Sequence, residues 1–142
     1  MMRVFLLVLF TMPLLAAEPD AILGVWKTNN DGKVEIYKKG KTYAAKIIDI
    51  KEKVYPADDK MAGQSKVDRE NPDKSKHKDP IIGMNFMHGF TFDGSIWSGG
   101  KIYDPDNGKT YKCKLTLKDA NTLQVRGFIG FSLLGRTEVW TR

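Results

Sequence analysis

The chain has 142 residues, with 23 Lys and Arg against 17 Asp and Glu, a formal net charge of +6, and one cysteine, Cys113. One cysteine excludes a disulfide within the chain, and this length predicts a single domain that can bury a core without covalent cross-links. The lysines are scattered along strand-like segments, which is typical of a solvated surface and argues against a nucleic-acid partner.

Residues 1–17 predict a secretory signal peptide. Arg3 supplies a positive charge, residues 4–10 form an apolar run, and small residues lead to Ala17. The apolar run is shorter than the roughly 20 residues of a membrane-spanning helix. We therefore predict a periplasmic or secreted bacterial protein with one mature domain, residues 18–142. A basic surface in that compartment favours anionic lipid, anionic polysaccharide or an acidic small ligand.

Turn signals at short, regular spacing predict an antiparallel meander after residue 23. The segments rich in β-branched and aromatic residues are 24–28, 34–38, 42–50, 82–92, 96–103, 110–118, 122–131 and 136–142. A meander of about eight strands removes its free edges by closing on itself. We predict an all-β, antiparallel up-and-down β-barrel of about eight strands, whose interior is filled by side chains or holds one small ligand.

Residues 51–79, called the long segment below, differ from the strands around them. They carry many charges of both signs, few apolar groups, and Pro56, Gly63 and Pro72. Such a composition predicts a connection outside the core. A connection of this length is either a functional lid or binding loop, or a mobile link.

The stretch KIYDPDNGKTYKCKL, residues 101–115, has two candidate structures. A calcium loop counted from Asp104 needs glycine at its sixth position and glutamate at its twelfth, where this chain has Lys109 and Leu115. A hairpin fits better, because Asn107-Gly108 is a strong turn signal and Asp104-Pro105 sets the approach to it.

In the strand after this turn, apolar or aromatic residues alternate with lysines. Tyr111, Cys113 and Leu115 share one face, and lysines occupy the other. Cys113 is therefore predicted to be a small buried hydrophobe rather than a nucleophile. The two histidines, His77 and His88, are far apart in sequence, and His88 is predicted to line the core or the cavity mouth. We find no catalytic constellation, metal site or cofactor motif, and expect no enzymatic activity.

The two ends of the chain suggest how the barrel closes. Gly24-Val25-Trp26 begins the first strand, and the last strand ends at Arg142. First and last strands are neighbours in a closed meander, so Arg142 or Arg136 is expected to cover a tryptophan through a cation–π contact. Calycin-type barrels, the lipocalins among them, have a similar Gly-x-Trp and late arginine.

Longer motifs resemble one family. They are GVWKT, ENPDKSKHKDPIIGMNFMHGF, WSGGKIYDPDNGKTYKCKL and TLQVRGFIGFSLLGRTEVWTR. Together they are similar to a family of exported bacterial proteins known as a domain of unknown function, DUF2147. The resemblance implies a small lipocalin-like β-barrel in the periplasm or outside the cell, and it implies no established activity.

The inward phase of the strands and the aromatic residues predict the ligand-binding positions. These are Met84, Phe86, Trp97, Lys101, Tyr103, Tyr111, Leu115, Val125 and Arg126. Lys101 and Arg126 meet an acidic head group if their positions face inward. The predicted ligand is small and apolar or amphiphilic, a fatty acid or other lipid.

The same residues also describe an ordinary packed core. The alternative function is therefore a non-enzymatic envelope module with a filled barrel, which docks a protein partner through the long segment or residues 127–135. A membrane-embedded barrel is not expected, because Lys112, Lys114 and Lys118 alternate with apolar residues and would crowd a narrow lumen.

Overall fold

A computed structural model describes residues 17–131 and 133–142, and the predicted signal peptide, apart from Ala17, lies outside the described residues. The eight strands are β1 (Gly24–Lys27), β2 (Lys33–Lys39), β3 (Thr42–Asp49), β4 (Asn85–Phe92), β5 (Trp97–Asp104), β6 (Lys109–Asp119), β7 (Thr122–Phe128) and β8 (Gly135–Thr141). Each strand pairs antiparallel with the next, and β1 pairs with β8 to close the barrel. The predicted all-β up-and-down barrel is confirmed.

Helical structure is brief. Short 3-10 helices occur at Pro19–Ile22 and Lys74–Lys76. In the described part of the chain, no helix has the length and apolar character needed to cross a bilayer.

One end of the barrel, called the closed end below, is sealed by the first 3-10 helix. Ile22 and Trp26 have no exposed surface, and the Trp26 indole Nε1 donates a hydrogen bond to the Ile22 carbonyl oxygen at 2.9 Å. Trp97 is equally buried, and its Nε1 donates to the Pro19 carbonyl oxygen at 2.9 Å. Both indoles thus bury their rings while their polar atoms satisfy the helix carbonyls.

Arg142 covers this end from outside. Its guanidinium carbon lies 4.1 Å from the centre of the Trp26 ring. The same guanidinium donates hydrogen bonds to the carbonyl oxygens of Ala21, Leu23 and Ala120 at 2.7, 3.0 and 2.9 Å. The predicted cation–π closure is confirmed, with Arg142 as the cation.

The long segment is packed by its own side chains. Arg69 forms a two-pronged ion pair with Asp59, at 2.8 and 2.7 Å, and its guanidinium stacks 3.9 Å from the Tyr55 ring centre. Asp68 is 3% exposed and accepts a hydrogen bond from the Tyr103 hydroxyl of β5 at 2.6 Å. These contacts favour a structured loop attached to the barrel over a mobile link.

The β5–β6 connection is a hairpin, as predicted, but its loop has four residues, 105–108, rather than the two of an Asn-Gly turn. Asp104 pairs with Lys109, and the Gly108 amide donates to the Asp104 carbonyl oxygen at 2.8 Å. Gly108 has φ +71°, while Asn107 does not adopt positive φ. The Asp104 carboxylate accepts from the Asp106 amide at 2.9 Å, which lengthens the turn.

Candidate functional site

A cavity of about 820 Å³ opens at the barrel end opposite the closed end, called the mouth below. Residues from the connections around 28–33, 49–52, 104–107 and 128–136 surround it. The volume lies within the range of small-molecule sites, roughly 300–1,000 Å³. The barrel interior is therefore packed at the closed end and hollow at the mouth.

The floor of the cavity is apolar. It is formed by inward side chains of six different strands: Val34, Ile47, Phe86, Ile102, Val125 and Trp140. The Phe86 and Trp140 ring centres lie 6.3 Å apart, and Trp140 is 1% exposed. An apolar ligand chain placed here would contact mainly hydrocarbon and aromatic surface.

Two charged side chains enter this apolar space from β8. Val125 of β7 pairs with Glu138, and Gly127 pairs with Arg136. Since cross-strand partners share a face and Val125 is buried in the interior, Arg136 and Glu138 also face inward. Val139 faces out and is 45% exposed. Charged residues that face inward and an apolar residue that faces outward reverse the usual pattern of a barrel strand, and such a reversal is expected at a functional site.

Arg136 and Glu138 are paired. The Arg136 Nη2 donates to Glu138 Oε1 at 3.1 Å, and the Trp140 indole Nε1 donates to Glu138 Oε2 at 3.3 Å. The Glu138 side chain is 27% exposed and the Arg136 side chain 80% exposed. The carboxylate therefore lies deeper and the guanidinium nearer the mouth.

Cys113 lies beneath this pair on the cavity side of β6. The thiol is 1% exposed. Burial, together with the negative charge of Glu138, raises the pKa of the Cys113 thiol to about 12. The predicted burial of Cys113 is confirmed. Its low reactivity stays a prediction, which follows because a neutral thiol is a poor nucleophile.

Two tyrosines of the lining join the hairpin to its surroundings. The Asn107 Nδ2 donates to the Tyr111 hydroxyl oxygen at 2.9 Å. Burial and the hydrogen bond to Asp68 raise the pKa of Tyr103 well above its usual value. Both hydroxyl groups are held by hydrogen bonds, and both residues contribute to the lining of the mouth.

The charged residues around the mouth carry both signs. The cations are Lys33, Lys51, Lys66 and Arg136, and the carboxylates are Asp31, Asp49, Glu52, Asp104, Asp106 and Glu138. Lys27 and Lys53, just outside this lining, pair with Asp31 and Asp49 at 3.5 and 3.3 Å. The charges at the mouth are therefore nearly balanced, unlike the net +6 of the whole chain.

The predicted ligand-binding residues divide into three groups. Four of them line the cavity, namely Phe86, Tyr103, Tyr111 and Val125. Met84, Trp97 and Leu115 pack in or against the core below it. Lys101 and Arg126 lie on the outer face, where Lys101 is exposed and Arg126 donates to the Thr137 hydroxyl at 2.9 Å.

The prediction that His88 lines the core or mouth is wrong. His88 is exposed and pairs with Lys101 on the outer face. The register of β3 and β4 shifts between the pairs Ala45–Met87 and Lys46–Asn85. This irregularity buries both Phe86 and Met87 and reverses the alternation that follows.

The sequence patterns did not predict that Arg136 and Glu138 line the cavity. The sequence does contain a signal for this placement. In RTEVWTR, Arg136 and Glu138 alternate with Thr137 and Val139, so they lie on the same face of the strand as Trp140. Placing Trp140 inside the barrel would have placed both charges inside as well.

Comparisons with known proteins agree with this architecture. A model of the family described as "Uncharacterized protein conserved in bacteria (DUF2147)" matches residues 24–142. A structurally similar protein is HP1028 from Helicobacter pylori, described as belonging to the lipocalin family. The two share 21% identity with a TM-score of 0.71, over 85% of this chain and 82% of that one. No curated protein matches. The chain therefore belongs to the DUF2147 family of uncharacterized bacterial proteins and has a lipocalin-like fold.

Proposed function

We propose that this protein binds a small amphiphilic ligand in the mouth cavity, without catalysis. The observation that carries the proposal is an open cavity of about 820 Å³ with an apolar floor and one inward ion pair, Arg136 with Glu138. The alkyl part of the ligand lies on the floor, and its polar head lies at the rim. The proposal is non-catalytic, and the one thiol near the cavity, Cys113, is buried, which leaves no exposed cysteine nucleophile there.

The floor predicts how affinity depends on the ligand. Burying one methylene group gains about 0.8 kcal/mol, which corresponds to roughly a fourfold decrease in Kd. Affinity should therefore rise by about this factor with each added carbon until the floor is covered, and then level off. A surface-adsorbed ligand would show no such limit.

The rim favours one kind of head group. A fatty-acid carboxylate would enter a mouth whose charges nearly balance and whose inward cation, Arg136, already pairs with Glu138. A neutral or zwitterionic lipid head needs no unpaired inward cation, and its cationic part is attracted to the rim carboxylates. Within the predicted classes, we propose a lipid with a neutral or zwitterionic head over a free fatty acid.

Gly127 offers a way to test the cavity. A Cβ atom there would lie 3.6 Å from Ile102 Cγ2 and 3.8 Å from Tyr111 Cβ, which are ordinary contacts. Gly127→Phe therefore places a ring in the cavity without a backbone clash. Val139→Phe adds the same ring on the outer face of the neighbouring strand and is the matched control.

The assay is displacement of the fluorescent probe N-phenylnaphthylamine by single-chain lipids that differ in chain length and head group. We expect the wild type and Val139→Phe to bind alike, and Gly127→Phe to bind at least about tenfold more weakly with an unchanged thermal unfolding midpoint. Equal binding by all three proteins, or no dependence on chain length, would overturn the proposal.

We also propose that the protein is exported, on the strength of the charge, apolar run and small residues in 1–17. Cell fractionation and the mass of the purified product test this. Export predicts a periplasmic or secreted product that lacks about the first 17 residues, whereas a cytoplasmic full-length product contradicts it.

A further inference from the structure

The β7–β8 connection exposes a concentrated apolar surface. Ile129, Phe131, Leu133 and Leu134 are 64%, 76%, 91% and 67% exposed, more than any other large apolar side chain in the described part of the chain. These four residues are called the apolar loop below. Scattered exposed hydrophobes are ordinary, but such a cluster on one loop marks an interaction surface.

The backbone of the apolar loop is partly satisfied from within. The Ile129 amide donates to the Leu134 carbonyl oxygen at 3.2 Å, and the Leu134 amide donates to the Phe131 carbonyl oxygen at 2.9 Å. Gly130, with φ +70°, allows the turn between them. A loop that satisfies its own polar groups can enter an apolar phase at lower cost.

Beside the apolar loop, the outer face of β5–β7 is basic. Phe128, at the start of the connection, pairs with Lys112, which in turn pairs with Lys101. One step along β6, Lys114 pairs with Arg126. Lys101, Lys112, Lys114 and Arg126, called the basic face below, thus form a continuous positive surface that reaches the apolar loop.

The lysines of the basic face differ from three lysines on the other side of the barrel. Lys27, Lys38 and Lys46, on β1–β3, lie 3.3–3.5 Å from carboxylates. Within residues 17–131 and 133–142, no ion pair involves Lys101, Lys112 or Lys114. Their charges are therefore available to an anionic partner.

We infer that the apolar loop and the basic face together dock the protein on an anionic lipid bilayer. The apolar side chains enter the head-group region while the lysines meet the anionic surface, the combination typical of interfacial membrane binding. Each lysine near such a surface strengthens binding by about fivefold. Ile129 and Leu134 also line the cavity, so docking turns the mouth toward the bilayer.

Charge complementarity favours a bilayer over a second copy of this chain. A symmetric dimer formed through this surface would bring one basic face next to another, which costs free energy. An anionic bilayer presents the opposite sign. This inference is independent of the proposed ligand, since docking needs only the outer surface.

The test is co-sedimentation of the full chain with vesicles of phosphatidylcholine alone and of phosphatidylcholine with about one-third phosphatidylglycerol. Phe131→Ser/Leu133→Ser removes the most exposed apolar groups, and Val25→Ser, at a 44% exposed site on β1, is its control. Lys112→Glu reverses one charge of the basic face. Lys39→Glu, at an exposed site on β2 near the closed end, is its control. Residues 1–16 are identical in all variants, so a difference in vesicle binding between two variants is caused by the substituted surface.

We expect binding to the anionic vesicles at least about tenfold stronger than to phosphatidylcholine, decreasing with added salt. Phe131→Ser/Leu133→Ser and Lys112→Glu should each lose at least about fivefold, with both controls unchanged and all unfolding midpoints alike. Absence of binding to anionic vesicles overturns the inference, as does equal loss in the controls. Light scattering that shows a dimer dissociated by Phe131→Ser/Leu133→Ser, without vesicle binding, would assign the surface to a second copy instead.

Discussion

Replacing Arg142 by alanine should weaken the barrel at its least supported seam. Among the described residues, β1 and β8 pair at one position, Lys27 with Thr141, whereas β7 and β8 pair along all of β7. Arg142 crosses this seam, because its guanidinium binds carbonyl oxygens before β1 and in the β6–β7 turn and covers Trp26. The Arg142 side chain therefore supplies much of the hydrogen bonding across the seam that the single pair between β1 and β8 lacks.

The magnitude follows from these contacts. Three hydrogen bonds contribute about 0.5–1 kcal/mol each at an exposed site, and the cation–π contact adds about 0.5–1 kcal/mol. Water can replace part of the lost hydrogen bonding at the three carbonyls, so we expect the free energy of unfolding to fall by about 2 kcal/mol. For a domain of this size that corresponds to a decrease in Tm of about 6–10 °C.

Urea unfolding and a thermal melt measure the effect. Arg142→Lys keeps the charge but loses the planar fork, so it should fall between the wild type and Arg142→Ala. Arg136→Ala, an exposed arginine at the mouth, is the matched control and should change stability by less than about 0.5 kcal/mol. If Arg142→Ala costs no more than this control, the guanidinium does not hold the seam and the reasoning is refuted.

Three further predictions concern other parts of the fold. Cys113, with a pKa of about 12, should react with a disulfide reagent at pH 8 several orders of magnitude more slowly in the native protein than in urea, and fast native labelling would contradict its burial. Gly108→Ala should lower the free energy of unfolding in urea by about 2 kcal/mol or more, because its Cβ would clash with the backbone carbonyl oxygen of Glu70 in the long segment. Gly130→Ala, at a similar φ in open space, measures the backbone strain alone, and equal costs for the two variants would contradict the clash. The Arg69 guanidinium holds the pKa of Asp59 well below its usual range, so the ion pair's contribution is complete above about pH 4 and is lost as the pH falls through the lowered value. Pepsin should therefore cleave the long segment of Asp59→Asn faster than that of the wild type near pH 4. This difference in cleavage rate should shrink on further acidification. A difference that grows as the pH falls would contradict the direction of the Asp59 pKa shift.

Much of the barrel was predictable because its signals are local. Turn residues such as Asp104-Pro105 and Gly108 restrict φ and ψ whatever surrounds them, and period-two alternation through Cys113 and Leu115 needs only the strand geometry. Strand number, antiparallel order and the burial of Cys113 follow from these.

The candidate site was predictable only in part. Phe86, Tyr103, Tyr111 and Val125 were assigned to it from aromatic content and inward phase. His88 was misplaced because the β3–β4 irregularity depends on how two strands pair, which alternation along one strand does not reveal.

The amino-acid sequence by itself determined the class of fold, the position of the hairpin and the closure of the barrel by a late arginine, with Arg142 and Arg136 left as alternatives. The tertiary structure alone decided that the interior is packed at one end and hollow at the other, because that balance depends on the combined volumes of side chains from six strands. It also decided that Glu138 faces into the cavity while Lys101 and Arg126 face out, since strand register and barrel curvature set the face of each residue.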